Sequence, residues 1–276
     1  MTAVETVDPR TGFHDDIPEQ AYHADRGSLS VSGAKVLINE SPADFRYQQD
    51  HPVHKTVFDF GSAAHALILG AGIESIYVAP FADWRTKAAQ HEKATGQDDG
   101  LSVILPKDWD VVCDMADVLS SHTLAMQLLS DGRPEVSAYA VDPETGVLRR
   151  GRFDWLGPTI LTDYKTAASS APSAFRKAAA DNGYHMQAAF YLDLARDLGH
   201  PAEAFAFIVQ RKTPPYPVNV IELDEASVER GRELNRRALQ MYRDCAEADV
   251  WPNAIPDTTF TTVTLPPWAF YDDGDN

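Results

Sequence analysis

Positive charge is scarce in this chain. Lys and Arg total 24 against 41 Asp and Glu, a formal net charge of −17. General nucleic-acid binders are usually basic, so no broad electrostatic grip on DNA or RNA is expected of the molecule as a whole. Cysteine is scarcer still, with only Cys113 and Cys245. Two are too few for a disulfide framework or for four-cysteine metal or iron–sulfur ligation. No apolar run reaches membrane-spanning length, so no membrane partner is expected. The opening residues have neither the basic nor the apolar segment of a secretory leader. A reducing cytoplasm is the expected location. Internal repeats, a nucleotide-binding Gly-rich loop, a G-x-S-x-G elbow and an H-E-x-x-H helix are also missing, which removes the commonest routes to nucleotide, acyl-transfer and zinc-protease chemistry.

What remains is a globular composition: 276 residues, 44% of them hydrophobic. That is enough for one large domain or two small ones. The order of signals favours one α/β domain, 1–276, with a mixed sheet flanked by helices. Residues 1–27 read as an irregular extension and 28–130 as mainly helical. Ser30 or Ser32 caps a short helix, and Ser41-Pro42 opens a second. Residues 57–69 form an apolar helix stopped by Gly70, GQDDG (96–100) reads as a loop, and a long helix is expected over 107–130. A sheet core follows over 135–223, opening with a three-strand meander at 135–166. Within it, helices start at Pro172 and Tyr184. Asp224 caps a charged helix at the head of the C-terminal part, 224–276.

The chain is organised around residues 147–165. Gly157-Pro158 is a turn signal between two β-rich runs. Side chains alternate along a strand, so Asp163 and Lys165 share a face and Tyr164 takes the other. If the two runs pair antiparallel, Asp154 lies beside Asp163. Paired carboxylates are costly to bury unless charge-compensated, and a hard divalent cation resolves the cost. Such a cation activates water and neutralises charge on a phosphate, while an ammonium beside it stabilises the developing charge. D-x-K alone is a weak motif, more often a solvated strand edge.

Other residues carry weaker signals. Arg149, Arg150 and Arg152 cluster near Asp154 and suggest a local basic groove, as do the pairs Arg85/Lys87, Arg176/Lys177 and Arg211/Lys212. His65 sits in an apolar helix, where a satisfied core histidine is the blander reading and a metal ligand the sharper one. His51 and His54 look like a metal pair but fit an exposed loop better. Tyr184, Gln187 and Tyr191 fall on one helix face, and a buried Gln187 needs partners.

Taken in order, SLSVSGAKVLINESPADFRY (28–47), FGSAAHALILG (60–70), WRTKAA (84–89), EVSAYAVDPETGVLRRGRFDWL (135–156), ILTDYKTA (160–167) and YHMQAAFYLDLA (184–195) resemble the PD-(D/E)xK nuclease superfamily. Within it they are most similar to the RecE-type, exodeoxyribonuclease VIII-like enzymes of phages. TLPPWAF (264–270) also resembles the end of that family. The resemblance implies a restriction-endonuclease-like fold. It implies His65, Asp154, Asp163 and the Tyr164 carbonyl as metal ligands for Mg²⁺ or Mn²⁺, and Lys165 as the catalytic lysine. Glu135 would lie at the site's edge, Gln187 and Tyr191 would support the site and contact substrate, and Arg85 and Arg152 would hold phosphates. The implied activity is 5′-to-3′ degradation of linear double-stranded DNA from its ends. The implied partners are a single-strand-annealing recombinase and further copies of the chain in a ring, in the host cytoplasm if the protein is phage-encoded. Phe153 stands where the superfamily's name has proline. Two competing readings are a nuclease-fold protein that binds DNA ends or a recombination partner without cutting, and an acidic DNA mimic. The mimic would leave Asp154, Asp163 and Lys165 scattered.

Overall fold

The structure is a computed structural model, and it describes residues 8–51, 59–255 and 257–270. The start of the helix expected over 57–69, His54 of the histidine pair, and the acidic tail Asp272, Asp273 and Asp275 lie outside those residues.

The strands are β1 (Gly12–His14), β2 (Leu29–Ser30), β3 (Ile76–Val78), β4 (Ser102–Ile104), β5 (Arg133–Val141), β6 (Leu148–Leu156), β7 (Ile160–Ala167), β8 (Ala204–Arg211) and β9 (Val218–Glu222). The helices are α1 (Glu19–Ala24), α2 (Val31–Asn39), α3 (Pro42–Asp50), α4 (Asp59–Leu69), α5 (Lys87–Asp98), α6 (Pro106–Ser120), α7 (Thr123–Leu128), α8 (Pro172–Asp181), α9 (Tyr184–Asp197) and α10 (Glu225–Ala248). Among the described residues the main sheet runs β1-β5-β6-β7-β8-β9, with β2 paired to β6, and β3 and β4 form a separate parallel pair. Within the main sheet the described pairings are antiparallel except β7–β8 and β2–β6. The fold is restriction-endonuclease-like.

Alternation along the strands feeds two main cores, beside a small cluster of Tyr22, Tyr139 and Leu148. Phe205, Phe207 and Val209 of β8 face the larger one, with Ala34 of α2, Phe190 of α9 and Leu239 of α10. Ile208 and Tyr164 face the smaller one, with Ala63 and Ala64 of α4 and Val112 of α6. Leu161 of β7 lies in the larger core, so Asp163 and Lys165, at the same parity, project to the α9 side. The parallel β7–β8 pairing needs a crossover, which α8 and α9 supply.

Local chemistry explains several boundaries. The Ser30 and Ser41 hydroxyls accept the Gly33 and Asp44 N–H groups and cap α2 and α3. The Asp224 carboxylate caps α10 by accepting the Ser227 N–H at 2.9 Å. The helix expected over 107–130 is two helices, because His122 Nδ1 accepts the Ala125 N–H at 3.2 Å and caps a new one. Nor is 96–100 wholly a loop. α5 continues to Asp98, and Gly96 is buried because a Cβ there would meet Val103 at 2.7 Å.

Candidate active site

The site forms where the sheet is interrupted. β6 and β7 pair only at Trp155↔Thr162 and Leu156↔Leu161. Further along, β6 pairs with β2 instead, at Arg149 and Arg150. Those residues also pair with Ala140 and Tyr139 of β5, so β2 occupies the edge of β6 that faces β7. The two strands therefore fork, with Asp154 at the branch. The β5–β6 ladder breaks at the same level: Pro134 pairs with Trp155 and Val136 with Phe153, skipping Glu135 and Asp154 between them. Glu135 adopts a left-handed φ of 54°. Phe153 and Leu156, three residues apart, both reach the larger core, which strict alternation would forbid.

α4 brings His65 to the branch. Its Nε2 lies 2.8 Å from Asp154 Oδ2 and its Nδ1 3.2 Å from Glu135 Oε1. One donor atom from each of His65, Glu135 and Asp154 lies within 4.8 Å of the others. The Tyr164 N–H donates to Asp154 Oδ2 at 3.1 Å, standing in for a ladder bond. A strand residue's N–H and C=O point to the same edge, so the Tyr164 carbonyl opens beside Asp154.

The other half of the site hangs on Asp163, which is fully buried. Gln187 Nε2 donates to its Oδ1 at 2.6 Å, and Lys165 Nζ pairs with its Oδ2 at 2.6 Å. The buried amide thus has the partner it needs. The scatter expected of an acidic mimic is absent.

Charge is balanced inside this group. Burial opposes a charged His65, but Asp154, then Glu135 and Asp163, outweigh it and push the imidazole up to about 9. Burial would raise Asp154, yet His65, Lys165 and the Tyr164 N–H hold it below the usual carboxylate range. Burial and then Asp154 push Asp163 up, and burial does the same to Glu135. Burial disfavours the Lys165 cation, but Asp163 and Asp154 keep it charged.

The donor set fits a divalent cation. Two carboxylates and a backbone carbonyl suit Mg²⁺ or Mn²⁺, and the imidazole nitrogen makes Mn²⁺ the better match, because Mg²⁺ is the harder, oxygen-seeking ion. Protonated His65 supplies positive charge between Glu135 and Asp154. A bound cation would supply it instead and would need the neutral imidazole.

Of the remaining sequence-derived candidates, Arg152 borders the group and the others stand away from it. Arg152 meets Glu135 Oε2 at 3.1 Å, donates to the Ile17 carbonyl at 2.7 Å and lies over the Tyr22 ring. Tyr191 packs in the core against Phe153, over the bare backbone of Gly151. Arg85 is exposed, 3.6 Å from Asp83, and is not brought into the group. The basic groove expected from Arg149 and Arg150 does not form, because both are buried. Arg149 pairs with Asp197 and Asp142, and Arg150 donates to the Ser28 carbonyl at 2.7 Å. Sequence reasoning placed Glu135 at the rim, whereas it faces His65 directly. The left-handed backbone that turns it inward has no sequence signal.

Comparison with known proteins adds three findings. The family described as "PDDEXK-like domain of unknown function (DUF3799)" matches residues 30–257. No curated protein matches the chain. Among solved structures, a protein from Eubacterium rectale described as "Putative exonuclease" superposes with a TM-score of 0.60 at 12% identity, over 91% of this chain and 94% of its own. At that identity the likeness is one of fold. A second, SSO0001, has a TM-score of 0.34 at 13% identity over 77% of each chain, too distant to carry weight.

Proposed function

The chain belongs to this family of PDDEXK-like domains, and from that premise we propose that it is a divalent-metal-dependent nuclease that degrades linear double-stranded DNA from its ends. One observation carries the reading. The His65–Glu135–Asp154 group and the Asp163–Lys165 pair meet at one fork in the sheet.

Each residue has a task there. Asp154 is aimed by the Tyr164 N–H and would be a carboxylate ligand of a divalent cation. Glu135 and neutral His65 would complete the holding group. When bound there, a divalent cation would supply Lewis acidity toward phosphate and water. Gln187 fixes one oxygen of Asp163, which leaves the other to hold Lys165. The held ammonium donates to the charge that develops on the phosphate as the bond breaks.

Action at ends is supported by the motif resemblance to RecE-type enzymes and by the fold likeness to the E. rectale protein. A net charge of −17 also disfavours non-specific binding along duplex interiors. The 5′-to-3′ polarity, the annealing recombinase as partner and a ring of copies rest on the resemblance alone.

The test is digestion of linear duplex DNA labelled at either end, with Mg²⁺, Mn²⁺ or chelator, against a closed circular control. Metal-dependent release of the 5′ label with the circle intact is the expected result. Nicking of the circle would retain the metal site and remove the exonuclease assignment. No cleavage by the folded protein would favour a non-cutting DNA-end binder.

A further inference from the structure

A second lysine stands at the fork. β2 enters on the edge of β6 that faces β7 and runs straight into α2, which carries Lys35. The Lys35 ammonium lies 5.8 Å from the centre of the Tyr184 ring, and Lys165 lies 5.3 Å from the centre of the same ring. The Lys35 stem crosses Gly183, the residue before α9. A Cβ there would sit 3.1 Å from Cε and 3.3 Å from Cδ. Gly183 has a left-handed φ of 63°, so glycine serves both the backbone and the passage of the lysine.

Lys35 is partly buried, and no hydrogen bond or ion pair holds it among the described residues. Buried lysines are nearly always paired. The anion whose field reaches it, Asp163, is already engaged by Lys165 and Gln187. Burial and then the Lys165 charge push Lys35 down to about 8, against the pull of Asp163. Lys165 is balanced by Asp163, whereas Lys35 has only the Tyr184 ring and, among the described residues, no counter-charge of its own, an unfavourable setting for a partly desolvated cation. The arrangement becomes favourable when an anion enters between or beside the two lysines. A polyanionic strand does so with its phosphates, which stand in a regular row.

We propose that Lys35 binds a non-bridging phosphate oxygen of the DNA strand being cut, next to the phosphate attended by Lys165. The inference rests on the nuclease reading and deepens it. It makes α2 part of the substrate path and puts two phosphate-binding cations against one ring, that of Tyr184.

Lys35→Met keeps the apolar stem and removes the charge. Duplex-end affinity, kcat and KM are measured across a salt series, with Mn²⁺ affinity measured by calorimetry without DNA. The expected result is roughly tenfold or greater loss of DNA affinity, carried mainly in KM. The slope of log affinity against log salt should fall by about one contact, and Mn²⁺ binding should stay unchanged. Wild-type KM and salt slope in this variant would overturn the assignment. So would a parallel loss of Mn²⁺ affinity, which would make Lys35 a support of the metal site. If Lys35→Met does not unfold cooperatively, Lys35→Gln is subjected to the same comparison. A wild type that neither binds nor cuts DNA defeats the nuclease reading itself; an active wild type with an indistinguishable variant defeats only the role of Lys35.

Discussion

Glu135 holds two unfavourable positions at once. Its φ of 54° is left-handed, a conformation that costs a non-glycine residue roughly 1–2 kcal/mol. Burial also pushes its carboxyl up, more than His65 and Arg152 pull it down. Strain concentrated on a side chain facing a candidate ligand group is what a functional site retains. Glu135→Gly is therefore expected to be more stable than Glu135→Ala by about 1 kcal/mol in denaturant titration, because both lose the carboxylate and only glycine relaxes the backbone. Equal stabilities would mean the backbone carries no strain there. Asp154 joins the two halves of the site, meeting the His65 imidazole and the Tyr164 N–H, whereas both oxygens of Asp163 are taken by Gln187 and Lys165. Asp154→Asn should weaken Mn²⁺ binding more than Asp163→Asn, and Lys165→Ala should leave Mn²⁺ affinity nearly unchanged while lowering kcat by about a hundredfold or more. Calorimetry beside turnover assays separates the three. The reverse ranking of the two aspartates would make Asp163 the stronger ligand of the two. Asp163 and Lys165 were legible in the sequence because strand alternation alone puts them on one face. Arg149 and Arg150 were misread because a row of charges does not show which of its members will be buried against Asp197 or Ser28.

At the scale of elements, α9 carries the supporting side chains and α10 holds α9 in place. Gly231 of α10 lies against the backbone of α9: a Cβ there would stand 2.0 Å from the His185 carbonyl oxygen. Asn235, one turn on, donates to the Met186 carbonyl at 2.9 Å. No rotamer relieves a clash between Cβ and backbone, so the helices must separate. Gly231→Ala should cost about 3 kcal/mol or more, and activity should fall in whatever fraction folds, because Tyr184 and Gln187 move with α9. Thermal denaturation of this variant beside Arg230→Ala, at an exposed neighbouring position, provides the comparison; near-equal midpoints would show that the crossing is loose. Long elements with caps, such as α3 and α10, could be read in advance. β2 could not, since two residues carry no periodicity, yet β2 opens the fork. Glycines misled for a related reason: Gly96 suggests a turn in sequence but serves close packing against Val103 in the fold.

Over the whole molecule, the site should announce itself in the pH dependence of stability. The folded state holds His65 up to about 9, against an ordinary value near 6.5. Between those values the folded protein binds more protons than the unfolded chain, so stability falls as pH rises. The contribution is complete below about 6.5 and is lost through 9. Lys35 acts in the opposite sense. Held down to about 8, it binds fewer protons than an unfolded lysine from 8 to above 10, and so adds stability as pH rises there. Asp163, pushed up to about 6, acts mainly below the His65 range. The window from pH 6.5 to 8 therefore belongs to His65. In chelator, the wild type should lose on the order of 1–2 kcal/mol across it, and His65→Ala should show a flat profile. Mn²⁺ must reverse the trend, because it competes with the proton for the same imidazole: its stabilisation should grow from pH 6.5 to 8 in the wild type. A metal effect independent of pH, in a wild type that still shows the chelator slope, would place the ion away from His65 and leave that histidine as the counter-charge of Asp154 and Glu135 alone.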